Sequence, residues 1–413
     1  MKHRQEAQVI FFICLILISF HLAGCTKLNA SQTYSPPTYE PFYPGEELAS
    51  DEMRITFVGT SFLPRLAQEC NSIYVELGNK EYFMFDMGSG VSAKYVALGI
   101  PYSRMDKVFL THLHGDHTSD LITMYCFGPS NDRKTPLQVW GPTGNDASEG
   151  TQVWCDNLKK LMKWHILSFS FEETGYGPGN DGYDIDVHEL DWKTTGVAYE
   201  KNGVKITYFP AVHTRNGSIS YKLEWNDMSM VFSGDTKPND YLIAQAKNVD
   251  VLIHEMVVPP DVWAMKNGHF TSTADPNYPK ALKQAQDVQE SSHTPELAFG
   301  YILSQTNPRL GVATHFQVNE DTLPQAISNI QYWYHGPIAI ATDLLVINVS
   351  HREIRQRRAV VSDYAWYAKP NPAAGQLAPP MFPTPTYQLD QKILLDHVIP
   401  ESVYDIQADD YNK

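Results

Sequence analysis

The sequence contains few cysteines, and none of them form a closely spaced pair. The five are Cys14, Cys25, Cys70, Cys126 and Cys155 in a chain of 413 residues. Thiolate zinc sites and thioredoxin-type redox sites use cysteines in C-x-x-C spacing, so neither kind of site is indicated. One disulfide among the last three cysteines stays open in an oxidising compartment, and the sequence does not select the pair.

Positive charge is also scarce. The chain has 32 basic and 47 acidic side chains, which gives a formal net charge of −15. A chain of that charge repels polyanions unless a local basic patch opposes the field. The most basic run, residues 351–358, is short and lies beyond the motifs described below. The composition therefore argues against a nucleic-acid partner.

The N-terminus has an apolar stretch that is too short to span a bilayer comfortably. Basic residues at positions 2–4 precede an apolar run over 9–23, whereas a membrane-spanning helix needs about 20 apolar residues. This order is typical of a secretory signal. Its end, residues 22–25, resembles the bacterial lipobox, which implies cleavage before Cys25 and a lipid on that cysteine. An ordinary signal peptide and an uncleaved anchor are the alternatives.

Four segments are expected along the chain. Residues 1–25 form the lipoprotein signal, and residues 26–52, rich in Ser, Thr, Pro and Tyr, predict a flexible tether. A folded domain is expected over 53–359, followed by a Pro-rich C-terminal extension over 360–413 that ends in a short packed segment near 388–399. Thr26 is not the Asp common in lipoproteins retained at the inner membrane, so we expect a periplasmic protein anchored to the outer membrane.

Within the folded part, strand patterns alternate with helical patterns, which predicts the α/β class. The helical patterns lie near 151–164, 239–247, 294–305 and 323–334. An acidic insert rich in Gly and Tyr occupies residues 172–201. A loop of that length is often functional, so we expect it to form a lid or pocket wall, with a plain surface loop as the alternative.

The strongest motif is Thr111-His112-Leu113-His114-Gly115-Asp116-His117, directly after a short apolar run. His112 and His114 are two residues apart, so both can face one point from a strand end or tight turn. Asp116 and His117 are offset and can face a second point. Imidazole and carboxylate are the ligands that zinc favours where a coordination position stays open for water. The motif therefore predicts a metal site.

This motif resembles the signature of the metallo-β-lactamase superfamily. The resemblance implies a four-layer αββα sandwich with two zinc ions at one edge. It also implies three later ligands at strand ends, for which His213, Asp235 and His315 match. The implied set is His112, His114 and His213 for the first ion and Asp116, His117 and His315 for the second, with Asp235 between them. Iron-containing relatives replace the second histidine with glutamate, so His114 favours zinc and hydrolysis.

Further matches resemble ribonuclease Z and its arylsulfatase-like relatives. These are His254-Glu255 after the next strand, Ser291-Ser292-His293-Thr294, and the segments 57–61, 85–90 and 141–144. The resemblance implies that His293 protonates the leaving oxygen and that Glu255 orients it. Asp116, Glu255 and His293 are thus the predicted catalytic residues; a helix cap and a strand-end acid are the alternatives for the last two. The chain also resembles exported metallo-hydrolases associated with guanitoxin biosynthesis, which fixes no substrate.

The acidic charge, the acidic insert and the export signal disfavour processing of tRNA precursors. We expect a binuclear zinc hydrolase that cleaves a small ester, a phosphodiester or an aryl sulfate, by attack of a zinc-bound hydroxide with His293 as general acid. A lactone or β-lactam hydrolase is the alternative enzyme, and a non-catalytic metal-binding lipoprotein is the alternative of another class. The expected partners are the ester and a membrane, through the lipid on Cys25; a homodimer stays open.

Overall fold

The computed structural model describes residues 38–169 and 181–365. Sixteen strands lie in these ranges, and their bounds are β1 Glu40–Phe42, β2 Met53–Gly59, β3 Ser72–Leu77, β4 Tyr82–Phe85, β5 Lys107–Phe109, β6 Leu137–Pro142, β7 Ile185–Leu190, β8 Gly196–Lys201, β9 Val204–Pro210, β10 Ile219–Trp225, β11 Met228–Phe232, β12 Val251–Glu255, β13 Leu310–Thr314, β14 Ile338–Ile340, β15 Leu345–Val349 and β16 Ile354–Ala359.

The helices of the same ranges are α1 Val91–Ala97, α2 Gly115–Thr118, α3 Leu121–Ser130, α4 Thr151–Leu161, α5 Lys163–Ser168, α6 Asp240–Gln245, α7 Pro260–Asn267, α8 Tyr278–Ser292, α9 Glu296–Thr306 and α10 Leu323–Gln331. Two short 3₁₀ turns lie at Tyr102–Arg104 and Asp181–Tyr183. Among the described residues, no helix combines the length and apolar character needed to cross a bilayer.

The strands form two sheets that pack face to face. The first has nine strands in the order β1-β16-β15-β2-β3-β4-β5-β6-β7, and the second has seven in the order β14-β13-β12-β11-β10-β9-β8. Alternation along β3 shows the reason: Ile73 and Val75 enter the core between the sheets, whereas Tyr74 enters the layer under the helices. Successive side chains of a strand point to opposite faces of the sheet. A strand that is apolar at every position must therefore be covered by another layer on both of its faces.

Helices cover the outer face of each sheet. Helices α1, α3 and α4 pack on the first sheet through residues such as Tyr95 and Leu158. Helices α6, α9 and α10 pack on the second through residues such as Phe299 and Ile330. The result is the four-layer αββα sandwich that the resemblance implies. The predicted α/β class is confirmed.

The first strand lies inside the segment predicted to be a tether. Strand β1 pairs in parallel with β16, and the Phe42 side chain is 4% exposed. The guanidinium groups of Arg54 and Arg357 lie over its ring at 4.7 and 5.2 Å, and Arg357 pairs with Glu46 at 2.7 Å. The prediction of a flexible tether is therefore wrong for this part of 26–52. The strand was missed because Phe42 is the one buried residue of β1 and gives no periodic pattern in a Pro-rich stretch.

The insert over 172–201 is not one loop. Residues 170–180 lie outside the described ranges, but residues 185–190 form the edge strand β7 and residues 196–201 form the edge strand β8. The chain thus crosses from the first sheet to the second within this segment. Short alternating strands among Gly and Asp residues gave too weak a periodicity to separate them from a loop.

The predicted helices all have counterparts, but α1, α2, α3, α7 and α8 were not predicted. The longest of these, α8, buries only Tyr278, Ala285, Gln289 and Ser292, so its apolar face is narrow in the sequence. Cys70, Cys126 and Cys155 are buried and unpaired, which excludes a disulfide among them. The signal segment with Cys25 and the segment near 388–399 lie outside the described residues.

Candidate metal centre

The carboxyl ends of the parallel strands deliver the polar residues to one edge of the sandwich. Strands β4, β5 and β6 run parallel in the first sheet, and β11, β12 and β13 run parallel in the second. The ends of β4 and β5 lead into Asp86 and the histidine motif. In the second sheet the chain leaves β11 for Asp235, ends β12 at Glu255 and leaves β13 for His315. Parallel strands share one carboxyl edge, so distant segments converge there.

Three imidazoles converge on one point, which we call the first group. The His114 Nδ1 atom lies 3.0 Å from His112 Nε2 and 3.2 Å from His213 Nε2. The Asp235 Oδ2 atom lies 3.8 Å from the Nε2 atoms of both His112 and His213. These four side chains can share one ion. His114 is exposed, so this side of the site opens to solvent, whereas the His213 side chain is only 3% exposed.

Two carboxylates and two imidazoles form a second group beside the first. The His117 Nε2 atom lies 3.3 Å from both Asp116 Oδ2 and Asp235 Oδ1. The His315 Nε2 atom lies 3.3 Å from Asp116 Oδ2 and from Asp235 Oδ2. Asp235 belongs to both groups. The structure thus brings all seven predicted ligands together, in the two sets that the resemblance implies.

The distances between donor atoms suit a tetrahedral metal ion. Ligand atoms about 2.0–2.1 Å from a zinc ion are about 3.3 Å apart when they stand at the corners of a tetrahedron. The separations of 3.0–3.3 Å match that value, whereas the two contacts of Asp235 Oδ2 with His112 and His213 are longer, at 3.8 Å. Moreover, His117 Nε2, Asp235 Oδ1 and His315 Nδ1 are buried without a hydrogen-bond partner. The first two face each other, as ligands to a shared ion would.

Hydrogen bonds behind the groups fix which nitrogen faces the site. The His117 Nδ1–H donates to Asp86 Oδ2 at 2.7 Å, and His213 Nδ1–H donates to the Ser292 carbonyl oxygen at 2.9 Å. In each ring the remaining nitrogen, Nε2, keeps its lone pair directed into the site. Such partners set both the tautomer and the orientation of a ligating histidine.

The histidines of the two groups differ in the direction of their pKa shifts. Burial lowers the pKa of His213 to about 4 and lowers that of His112 well below its usual range, which keeps both rings neutral and able to coordinate. Burial also lowers the pKa of His117, but Asp235, Asp116 and Asp86 outweigh it and raise that pKa well above the usual value. Three carboxylates around one ring make this position favourable for positive charge.

The predicted proton donor lies beside both groups. The His293 Nδ1 atom lies 3.0 and 3.1 Å from the two carboxylate oxygens of Glu255, which is fully buried. The His293 ring centroid is 5.0 Å from that of His213 and 5.5 Å from that of His315. Burial lowers the pKa of His293, and the Glu255 carboxylate outweighs it and raises the pKa to about 9.

Glu255 is itself held in place. The backbone N–H of Thr236 donates to Glu255 Oε1 at 2.8 Å, and the Glu255 N–H donates to Ser233 Oγ at 2.9 Å. The carboxylate therefore has a fixed position from which it orients the His293 ring. In this arrangement His293 Nε2 is the nitrogen left to face a bound molecule.

Two residues of the site were not among the predicted ones. Asp86 is fully buried and accepts hydrogen bonds from the Thr111 N–H, the Thr111 hydroxyl and His117. Both Asp86 and His315 adopt a left-handed backbone, with φ of 57° and 60°. Strained residues of this kind cluster at functional sites. Asp86 and Ser292 lie in segments that match the ribonuclease Z branch, 85–90 and 291–294, but those matches assigned them no role. Asp86 also directly follows the apolar strand β4, whereas Ser292 acts through its carbonyl, which its residue type does not indicate.

A groove of about 190 Å³ borders the first group. Its lining includes Thr143, Glu149, Asn216 and Ser218, and among the described residues Arg215 supplies its single cationic side chain besides the histidines. The Arg215 guanidinium donates to both oxygens of Glu149, at 3.0 Å through Nε and in a second, shorter contact. The positive charge of Arg215 is therefore already paired with the Glu149 carboxylate in the structure.

Comparisons with known proteins agree with this geometry. The profile of the beta-lactamase superfamily domain matches residues 92–296. The chain is 24% identical to ribonuclease BN of Proteus mirabilis (strain HI4320) over 288 residues, which are 62% of this chain and 91% of that protein. It is 28% identical to ribonuclease Z of Mycobacterium marinum (strain ATCC BAA-535 / M) over 211 residues, 50% of this chain and 71% of that protein.

Two solved structures share the fold. The metallo-beta-lactamase fold protein YhfI from Bacillus subtilis superposes with a TM-score of 0.51 at 16% identity, over 72% of this chain and 100% of that one. The short form of human tRNase Z superposes with a TM-score of 0.50 at 18% identity, over 71% of this chain and 98% of that one. Both likenesses concern the fold alone.

Proposed function

We propose that this chain, which belongs to the metallo-β-lactamase superfamily in its ribonuclease Z branch, is a hydrolase that uses two zinc ions to cleave a small ester, a phosphodiester or an aryl sulfate. The observation that carries the proposal is the pairing of two complete ligand groups with the Glu255–His293 pair beside them. The ligand groups account for activation of water, and the pair accounts for protonation of a leaving oxygen.

The donor set fits zinc. The three imidazoles of the first group and the carboxylates and imidazoles of the second would each hold one ion, and zinc bound there would activate water near neutral pH and stabilise developing negative charge. The protein's own residues do the rest of the positioning. Asp235 ties the two groups together, while Asp86 and the Ser292 carbonyl hold His117 and His213 with Nε2 directed into the site.

His293 donates the proton that the leaving group needs. An alkoxide or phenoxide is a poor leaving group until it is protonated, and a positioned acid typically contributes about 10²- to 10⁴-fold. The Glu255 carboxylate keeps a proton on the His293 ring and fixes the ring relative to His213 and His315. Glu255 is thus a positioning residue, and His293 is the general acid.

A small ester suits this chain better than RNA does. Binding to RNA requires several lysines or arginines along the path of the backbone. The groove beside the first group has one such side chain, Arg215, and Glu149 already pairs with it. The formal charge of −15 acts in the same direction. Support for an ester comes from the relatives named ribonuclease, because a ribonuclease cleaves phosphodiesters.

The decisive experiment compares the zinc-loaded full chain with its His293→Ala variant on bis(p-nitrophenyl) phosphate and p-nitrophenyl sulfate. We expect turnover of at least one ester and a loss of about 10²-fold or more in the variant. His351→Ala, an exposed histidine at the turn before β16, is the matched control and keeps full activity.

Two other results would lead elsewhere. Ester or lactone turnover that is undiminished in His293→Ala favours a lactone or β-lactam hydrolase, because that chemistry has less need of the acid. A purified chain that binds no zinc overturns the enzyme proposal, and a chain that binds zinc but turns over no ester or lactone favours the non-catalytic metal-binding lipoprotein.

We also propose that the chain is exported and anchored to the outer membrane by a lipid on Cys25, facing the periplasm. The basic start, the apolar run and the lipobox-like end support this. Fractionation of cells that express the full chain or its Cys25→Ser variant tests it: the variant should leave the membrane fraction. Equal membrane recovery of both chains argues against a lipid on this cysteine.

A further inference from the structure

An aromatic surface borders the second ligand group. The ring of Phe62 stacks on that of Trp263, with centroids 4.8 Å apart and planes at 23°. The Phe62 centroid also lies 5.6 Å from that of His315. Both aromatic side chains are only half-buried. A π surface open to solvent therefore lies one ring away from a predicted metal ligand.

The segment that carries Phe62 is fixed relative to His315. Arg65 donates to the Asn319 side-chain oxygen and to the Val318 carbonyl, both at 2.9 Å. Gln68 donates to the Phe316 carbonyl at 3.0 Å. All three acceptors belong to the stretch that directly follows His315. Because these bonds join the two segments, a ring that stacks on Phe62 would not have to order the loop first.

The two sides of the site differ in character. Beyond Phe62 the same loop exposes Leu63 and Leu66, at 48% and 104%. On the side of the first group, Arg215 and Glu149 line the groove instead. A contiguous exposed apolar patch rimmed by polar residues is typical of a surface that binds a ligand, another protein or a membrane. The apolar side thus suits an organic ring, and the polar side suits the charged or hydrated remainder of a molecule.

We propose that Phe62 and Trp263 form an aromatic wall that stacks against a planar ring of the substrate, so that the natural ester carries an aromatic group on the His315 side of the site. The proposal rests on the proposed ester hydrolysis and names the substrate class for it. An offset or edge-to-face aromatic pair contributes about 2- to 12-fold in affinity beyond area burial. The wall therefore selects among esters with the same acid group.

The test measures binding, separately from turnover. The zinc-loaded full chain is titrated calorimetrically with phenylphosphonate, cyclohexylphosphonate and methylphosphonate, which share one anion and differ in the ring. We expect phenylphosphonate to bind about 3- to 10-fold more tightly than cyclohexylphosphonate. In Phe62→Leu, which keeps an apolar side chain, this preference should disappear while the affinity for methylphosphonate stays unchanged.

Two further variants complete the design. Trp263→Leu, which leaves Phe62 in place, should reduce the same preference independently. Phe127→Leu is the matched control, because Phe127 is 45% exposed on α3, packs edge-on against His165 and lines neither ligand group. Its binding should equal that of the wild-type chain.

The outcomes separate the wall from the hydrolase. Equal binding of the phenyl and cyclohexyl compounds, or no binding of either, overturns the wall. A weakening of all three ligands alike in Phe62→Leu also overturns it, because a general distortion would then explain the change. Ester turnover without a ring preference leaves the hydrolase standing and removes the wall. A ring preference without turnover of any ester supports the aromatic wall and argues against the hydrolase.

Discussion

Asp86→Asn isolates the role of a buried carboxylate that touches no substrate. Asp86 is fully buried, and its Oδ2 accepts from His117 Nδ1 at 2.7 Å and from the Thr111 hydroxyl at 2.8 Å. Its Oδ1 accepts from the Thr111 N–H at 2.8 Å. An asparagine that keeps the last bond must place its amide nitrogen against His117. The histidine then has to accept on Nδ1 and carry its proton on Nε2.

That tautomer cannot bind a metal through Nε2. Loss of a partner behind a ligating histidine typically lowers metal affinity about 10- to 100-fold. A 30-fold weaker affinity removes about 2 kcal/mol of the stabilisation that a saturating metal gives. The changed hydrogen bonds lower the stability of the metal-free protein by about 1–3 kcal/mol as well. The affinity effect should fall mainly on the ion held by His117, because the first group reaches Asp86 only through the Thr111 hydroxyl, which lies 3.1 Å from His112 Nδ1.

The assay combines zinc competition against a chromophoric chelator with thermal unfolding, in the presence and absence of zinc. Asp343→Asn is the matched control: Asp343 is 2% exposed and accepts from the Thr60 hydroxyl at 2.6 Å, the Glu69 N–H at 2.6 Å and Lys94, away from both ligand groups. It should lower stability and leave both zinc affinities unchanged. A folded Asp86→Asn chain that binds two zinc ions with wild-type affinity would refute the reasoning.

Three further predictions follow from single contacts. Glu255→Gln should lower kcat about 10-fold or more with unchanged zinc content, because the amide no longer stabilises a protonated His293; equal kcat values would exclude the positioning role. Burial raises the pKa of Glu296 to about 7 despite the hydrogen bond from Asn329, so folding loses stability as the pH rises from about 4.5 to 7. Metal-free Glu296→Gln should therefore be more stable than wild type at pH 8, by at most about 3 kcal/mol, and similar to it near pH 4; equal melting temperatures at pH 8 would contradict this. Phe42→Ala should reduce stability by about 3–5 kcal/mol in urea unfolding, since Phe42 is 4% exposed under two guanidinium groups; a loss below 1 kcal/mol would mean that β1 is dispensable.

The histidine motif could be recognised in the sequence because the short spacing between its residues itself places them around one site. His112 and His114 belong to one turn, so the residues between them set their separation whatever the rest of the chain does. His213, Asp235 and His315 each follow an apolar strand, and the carboxyl ends of parallel strands meet at one edge. The α/β class followed from the alternation of strand and helical patterns, which sequence periodicity carries directly. The four-layer αββα arrangement was implied by the resemblance to the metallo-β-lactamase superfamily.

Only the tertiary structure decided which distant segments touch. The pairing of β1 with β16 joins residues more than 300 positions apart, with Arg357 reaching back to Glu46. A carbonyl such as that of Ser292 has no side-chain identity to read, and its bond to His213 depends on where α8 ends. The stacking of Phe62 on Trp263 likewise depends on the docking of a loop against α7. Such contacts arise from packing between layers, which no local spacing encodes.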